Sequence, residues 1–329
     1  MSIPTIAVAG RQVGRIGYGL MQLTWTAAPP TEEDLSQPST AADAGATCWS
    51  TATFYGPGHA NIKLIAAFFA KYPEYKEKIV LVVKGAADPV ARQPKIGDID
   101  FLRKDIADIQ SILGDKPIDV YLPARLDPNT PIEKAIGNLV TLQKEGLFSA
   151  FGVSEVTAET AEKAHKVAPL SIVENEVSLF HQDEATRKIV EWSKTNKVPI
   201  FAYAPLGRGF LAGRFKKPED IPEGFVMNNF PWFQPEAFET NAKLAEKLEE
   251  IAKSKGLTAS QLALAWLTQK SEYIIPIPGS SKPDRVQSNT EAANIKFTPE
   301  ELAEIDKYAE AVKVAGDRYP APAQKYLMQ

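Results

Sequence analysis

Eight short apolar runs, each followed by a longer stretch of helical periodicity, predict an α/β fold whose parallel strands close into a (β/α)8 barrel. Two further observations agree. The 329 residues suffice for one such barrel, and no linker or low-complexity segment divides them, so residues 1–329 read as one domain. The dinucleotide fingerprint of the rival fold, an open doubly wound sheet, is missing. Gly17-Tyr-Gly19-Leu-Met-Gln22 lacks the third glycine and runs into Thr24-Trp-Thr and a Pro pair rather than a helix.

The strand candidates begin with Ile16 to Leu20 and Ala46 to Trp49. Ile79-Val-Leu-Val-Val83 is wholly apolar, as a strand buried on both faces requires. Ile118 to Leu122, Ser149 to Val153, Leu170 to Val173, Val198 to Tyr203 and Tyr273 to Ile277 complete the set. Between them, Leu102, Ile106, Ile109 and Leu113 recur on one helical face, as do Leu244, Leu248 and Ile251. Thr130-Pro-Ile-Glu133, Thr258-Ala-Ser-Gln261 and Thr298-Pro-Glu-Glu301 each read as a capping box, in which two side chains satisfy free N–H groups at a helix start.

Lys plus Arg number 37 and Asp plus Glu 41, a net charge of −4 that argues against nucleic acid or an anionic membrane as the main partner. Cys48 is the only cysteine, which excludes an intrachain disulfide and a thiolate zinc site. His59, His165 and His181 are too far apart for a local metal motif, so no metal is expected. No apolar run reaches the ~18 residues of a membrane span, and the N-terminus has no apolar signal stretch. A reducing, cytoplasmic compartment is the expectation. Tyr72-Pro-Glu-Tyr-Lys76 has the Tyr-x-x-x-Lys spacing of short-chain dehydrogenases, but its proline and charged surroundings mark a chance match.

In a barrel the chemistry gathers where strands end and βα loops begin. Those ends deliver Ser50 and Tyr55, then Lys84, Arg125, Ser154, Glu174, Tyr203 and Gly279-Ser-Ser-Lys282. Lys84 directly abuts a wholly apolar strand, where burying an ammonium is costly unless it serves as a partner. A phenol titrates near ~10, and a neighbouring cation should lower that value. A Tyr beside this lysine is therefore a candidate general acid that protonates a carbonyl oxygen while hydride arrives at carbon.

Trp49-Ser-Thr-Ala-Thr-Phe-Tyr-Gly56, Val83-Lys-Gly85, Gly152-Val-Ser-Glu155, Ala202-Tyr-Ala-Pro-Leu-Gly207 and Ile275-Pro-Ile-Pro-Gly-Ser-Ser-Lys282 resemble, in that order, the aldo-keto reductases. The resemblance runs from about residue 5 to about 310. It implies a (β/α)8 TIM barrel with an N-terminal β-hairpin and an extra C-terminal helical segment, binding NADPH without a Rossmann fold. Of the family's catalytic Asp, Tyr, Lys and His, Tyr55 matches the acid and Lys84 its cationic partner. Ser50 stands at the Asp position and Ala124 at the His position, within Leu122-Pro-Ala-Arg-Leu-Asp127. With no carboxylate at position 50, Lys84 is expected to have lost one reason to stay charged. Both departures, with Leu20-Met-Gln-Leu-Thr-Trp25 and Asp317-Arg-Tyr319, resemble the fungal pyridoxal reductase branch, which implies reduction of pyridoxal to pyridoxine.

Carried over by position, Ser154 and Glu174 would hold the nicotinamide carboxamide and Tyr203 would stack on its ring. Ala204, Leu206 and Gly207 would approach the pyrophosphate through backbone. Ser280, Ser281, Lys282 and Arg285 would surround the 2′-phosphate, and Asn289 the adenine. Trp25, Phe54, Arg125 and Trp232 are substrate-side candidates, the last in Phe230-Pro-Trp-Phe233 of a long insertion after the seventh run, a usual place for a lid. The partner implied is a small aldehyde. Two alternatives stay open: a general aromatic-aldehyde reductase, and a low-turnover NADPH-sensing subunit of the same fold.

Overall fold

A computed structural model describes residues 3–25, 36–88, 93–223, 225, 227–311 and 313–328. Strands β3 (Tyr18–Gly19), β4 (Cys48–Ala52), β5 (Val80–Gly85), β6 (Val120–Pro123), β7 (Ala150–Ser154), β8 (Ile172–Glu176), β9 (Ile200–Tyr203) and β10 (Ile274–Pro276) pair in parallel, each with the next. The sheet curls until its edges meet. Gly17 N–H donates to the Pro276 carbonyl at 2.9 Å and Gly19 N–H to the Pro278 carbonyl at 3.2 Å, which closes the barrel. Each of the eight sequence runs became one of these strands, as a (β/α)8 barrel requires.

Helices separate the strands, two of them between β9 and β10. They are α1 (Ser36–Asp43), α2 (Ala60–Lys71), α3 (Ile99–Leu113), α4 (Ile132–Lys144), α5 (Ala158–Val167), α6 (Glu184–Asn196), α7 (Pro235–Ser254), α8 (Ala259–Lys270) and α9 (Pro283–Glu291). All four apolar residues of the α3 face are buried, which holds that helix on the outside of the sheet. After α10 (Pro299–Ala311) the chain returns to the barrel mouth, where it forms the short α11 (Ala321–Gln324).

The barrel lumen has its own core. Cys48, Val80, Val82, Val120, Leu122, Ile172, Phe201 and Ile275 pack there with Val8 and Val13 of the antiparallel hairpin β1 (Thr5–Val8) and β2 (Arg11–Gly14), which stoppers one end. Side chains alternate along a strand, so residues two apart share a face. Counting on from Cys48, Val82 and Ile172 therefore places Ser50, Lys84 and Glu174 in the lumen, one step nearer the open mouth. Phase alone aims three polar groups at one another.

Two capping boxes form as expected. Thr258 Oγ1 accepts from Gln261 N–H at 3.1 Å, and Thr298 Oγ1 from Glu301 N–H at 3.3 Å. The third does not. Pro131, not Thr130, caps α4, because the Thr130 hydroxyl is drawn back to Asp127 at 2.9 Å. The Tyr72–Lys76 segment lies before β5, at the end of that strand opposite Lys84, with Lys76 paired to Asp115 at 2.7 Å.

Gly152 is required by close approach, since a Cβ there would stand 2.5 Å from the Ile172 carbonyl oxygen of the neighbouring strand. Gly152→Ala should therefore destabilise the fold by about 1–3 kcal/mol, the usual cost of forcing extra volume into a packed core. Urea unfolding measures it, and an unchanged midpoint would show that the β7–β8 pair can part without loss.

Candidate active site

Lys84, Ser50 and Glu174 make a closed triangle under the mouth. Lys84 Nζ lies 2.7 Å from Glu174 Oε1 and donates to Ser50 Oγ at 2.7 Å, while Ser50 Oγ donates to Glu174 Oε2 at 2.9 Å. The three are 4%, 2% and 2% exposed. Ser50, Lys84 and Glu174 sit within their strands rather than beyond them, which leaves them less freedom than loop residues have.

Tyr55 closes the triangle from above, with Lys84 Nζ 5.2 Å from its ring centroid. A buried network fixes its backbone. The Tyr55 carbonyl accepts from the Thr24 hydroxyl at 2.9 Å and from Asn61 N–H at 3.2 Å, and Asn61 Nδ2 donates in turn to Leu20 O and to Thr24 Oγ1. The chain leaves Tyr55 through Gly56 at φ +82°, where a Cβ would approach the Thr24 carbonyl oxygen to 2.8 Å.

The electrostatics correct two expectations. Burial pushes the Tyr55 phenol up; Lys84 pulls it back, but the net shift is upward, so the cation does not win. Burial pushes the Lys84 ammonium down, yet Glu174 and then Tyr55 outweigh burial, and its pKa lies above the ordinary lysine value. The lysine has therefore not lost its anion. The carboxylate missing at position 50 stands on β8 instead, and the serine bridges to it.

A second charged cluster roofs the mouth. Arg318, from the segment after α10, reaches Glu155 Oε2 and Glu176 Oε2, both at 3.1 Å, and Arg208 reaches Glu176 at 2.6 Å. Tyr203 donates to Glu155 at 2.7 Å, and its hydroxyl lies 3.0 Å from that of Tyr319. Arg125 donates to Tyr319 at 3.3 Å. Burial raises the Glu155 carboxyl, but Arg318 and Arg125 bring it down to about 2. Sequence reasoning missed Glu155, Glu176, Arg208 and Arg318 as site residues. The available signal was the polar trio Glu174-Asn-Glu176 closing an otherwise apolar run.

Three strand exits are left-handed at non-glycine residues: Ala86 at φ +58°, Glu155 at φ +54° and Ala204 at φ +46°. Such backbone costs about 1–3 kcal/mol per residue and collects at functional sites. Here it bends the chain sharply as it leaves β5, β7 and β9.

The remaining candidates fall into three places. Ser154 ends β7, opposite Glu174 in the β7–β8 register, and its buried Oγ has no hydrogen-bond partner. Ala204, Leu206 and Gly207 form the loop after β9, with Gly207 at φ +56°. Ser281, Lys282 and Arg285 are exposed at the N-terminus of α9, whereas Ser280 and Asn289 are buried. Ser280 Oγ accepts from Lys282 N–H at 3.1 Å.

Trp25 and Phe54 gather at Tyr55, with ring centroids 5.6 Å and 5.3 Å from its own. Trp232 does not join them. It is 1% exposed, packs on Phe180 and the Arg208 guanidinium, and donates to the Gly316 carbonyl at 3.1 Å. The insertion after β9 thus anchors the C-terminal segment. No group of His, Cys, Asp and Glu among the described residues could hold a metal, and none of their helices is long and apolar enough to cross a membrane.

A closed parallel barrel with a buried Lys under a Tyr at its mouth defines the class of this protein. Residues 15–310 match the Aldo/keto reductase family. The chain is 35% identical to "Aldo-keto reductase yakc [NADP(+)]" of Schizosaccharomyces pombe, over 98% of this chain and 96% of that protein. It is 34% identical to "Probable pyridoxal reductase 2" of the same organism, over 95% and 96%. The solved glycerol dehydrogenase of Gluconobacter oxydans shares the fold, with a TM-score of 0.81 at 24% identity, over 96% of this chain and 98% of that one. The chain belongs to the aldo/keto reductase family and is an oxidoreductase by that membership.

The roof cluster carries a pH-dependent prediction. The folded pKa of Glu155 is depressed, so its contribution to stability is present above the unfolded value near ~4.3 and is lost as pH falls toward about 2. Arg318→Ala should cost up to about 3–5 kcal/mol at neutral pH, as breaking a buried ion pair does. The gap to wild type should narrow below about pH 4, where Glu155 of the variant is already protonated. Denaturant midpoints at pH 7 and pH 3 decide this, and a gap independent of pH would assign the loss to packing alone.

Proposed function

We propose that this oxidoreductase uses NADPH to reduce pyridoxal to pyridoxine, with Tyr55 as general acid. The observation that carries the reductase reading is the lumen geometry: a phenol over a buried, charged lysine at the mouth of the barrel. Because burial holds the Tyr55 pKa above its ordinary value, the residue is a protonated donor at neutral pH. The likeness to a probable pyridoxal reductase, at 34% identity over nearly the full length, supports the substrate.

The residues fit the cofactor. The buried Ser154 Oγ has a hydrogen bond to give and to accept, which suits a carboxamide. Ala204, Leu206 and Gly207 offer backbone to a pyrophosphate, with Tyr203 as the ring platform beside them. Lys282 and Arg285 at the start of α9, with Ser280 and Ser281, make a site for a 2′-phosphate, and Asn289 lies one helical turn further on. When bound, NADPH supplies the hydride. Tyr55 supplies the proton to the carbonyl oxygen, and Lys84 steadies the phenolate left behind. Trp25 and Phe54 wall the approach to Tyr55 with aromatic surface suited to a flat ring. Arg125 stands across the mouth, and Trp232 acts through the segment that it anchors.

NADPH oxidation followed with pyridoxal and with benzaldehydes tests this reading. Preference for pyridoxal supports it, equal turnover of both makes the chain a general aromatic-aldehyde reductase, and binding without turnover makes it a sensing subunit. NADPH should bind at least tenfold tighter than NADH through Lys282 and Arg285; equal affinities by fluorescence titration would remove those two residues from the phosphate site. Tyr55→Phe should keep NADPH binding and lose about 10²–10⁴ in kcat, the usual worth of a general acid. A variant that retains a tenth of the turnover would move the proton to another donor.

A further inference from the structure

We propose that Glu174 is the positioning residue of the catalytic pair, holding the Lys84 ammonium beneath Tyr55 through a buried ion pair that Ser50 bridges. This rests on the reading of Tyr55 as the acid. The geometry leaves little else for the carboxylate to do first. One oxygen is on Lys84 Nζ at 2.7 Å and the other on Ser50 Oγ at 2.9 Å, with the whole triangle out of water. An ammonium so buried without an anion would shed its proton, and the neutral amine would no longer steady a phenolate.

The charged and titratable groups around Lys84 are Glu174 from β8 and Tyr55 from the loop after β4. Tyr319 of the C-terminal segment acts on Tyr55, and the Cys48 thiol lies deeper in the lumen within reach of the Glu174 charge. Of these, Glu174 is the one whose charge at neutral pH opposes that of Lys84.

Removing that charge lowers the Lys84 pKa, because burial then acts unopposed, and it lowers the Tyr55 pKa, because an anion has gone. Activity needs both groups protonated, so the alkaline limb of kcat must move down. Glu174→Gln should shift it by about a unit or more, as losing an opposite charge at this distance does. Ser50→Asp together with Glu174→Gln returns a carboxylate to a position already 2.7 Å from Lys84 Nζ and should restore the limb. Ser50→Asp alone places two carboxylates side by side, so one takes up a proton and the limb moves little.

The experiment is kcat against pH from about 6 to 10 for wild type and the three variants, with saturating NADPH. Thermal unfolding of the same proteins without cofactor runs in parallel. In wild type the Lys84 pKa is raised, so its stabilisation persists up to the unfolded value near ~10.4 and is lost above it. In Glu174→Gln it is depressed, so that variant gains stability as pH rises and its Tm deficit should shrink from pH 7 to 10. The double variant should keep a deficit that does not change with pH. This second measurement needs no substrate. A shrinking deficit without pyridoxal turnover would overturn the substrate and keep the pair. A deficit that stays constant in Glu174→Gln, or a limb that the double variant fails to restore while NADPH still binds, would overturn the role of Glu174.

Discussion

The amine of Lys84 has left water with the carboxylate of Glu174 against it, and the mouth of the barrel is organised around that fact. Taking an ammonium into a protein interior costs several kcal/mol even after relaxation, and the attraction of a nearby carboxylate offsets this only when the remaining hydrogen-bonding capacity is also met. Ser50 meets it, giving one hydrogen bond to the carboxylate and taking one from the amine. The barrel supplies the geometry at no extra conformational cost. β4, β5 and β8 are hydrogen-bonded in register with their neighbours, and the two-residue period of each aims its polar residue into the lumen. A loop-borne pair would have to be ordered first.

The roof cluster obeys the same constraint one layer up. Glu176 ends β8 and Glu155 directly follows the end of the adjacent β7, so two carboxylates meet at the mouth. Arg318 bridges them, and Arg208 joins it on the same Glu176 oxygen, Oε2, while Oε1 stays buried without a hydrogen-bond partner. Because Arg318 comes from the end of the chain, the C-terminal segment is bound to the lumen by charge as well as by packing. Trp232 and Asn241 fasten its near end, through Gly316 and Ala315. Tyr319 then rests against Tyr203 and Arg125, so the segment touches the groups assigned to cofactor and to substrate alike.

Much of this was legible in the sequence, because much of it follows from period and phase. The runs at Ile79 to Val83 and Ile118 to Leu122 announced buried strands, and the run beside Lys84 announced a buried cation. The apolar phase of α3 likewise fixed its inner face. The failures share a physical origin. The run at Leu170 to Val173 seemed to end where polarity began, yet β8 continues through Glu176 with every residue buried. Glu174, Asn175 and Glu176 are tolerated inside because each meets a partner from a distant part of the chain: Lys84, the Val156 backbone and Arg208. A local pattern cannot announce a partner that arrives only when the barrel closes. The same holds at Trp232, whose place is set by Gly316, 84 residues further along the chain.

Position 50 shows what residue-by-residue comparison misses. Read alone, Ser50 is a lost carboxylate and predicts a weakened lysine. Read with Glu174, it is half of an exchange, because the site keeps its charge and changes only the strand that carries it. The two positions are 124 residues apart in sequence and 2.9 Å apart in space. What a buried Lys84 ammonium requires is an anion against it, and electrostatics does not specify the strand from which that anion comes. Here Glu174 on β8 meets that requirement, and a small hydroxyl fills the place left open at position 50. An alanine there would leave both Lys84 and Glu174 one hydrogen bond short in a buried site.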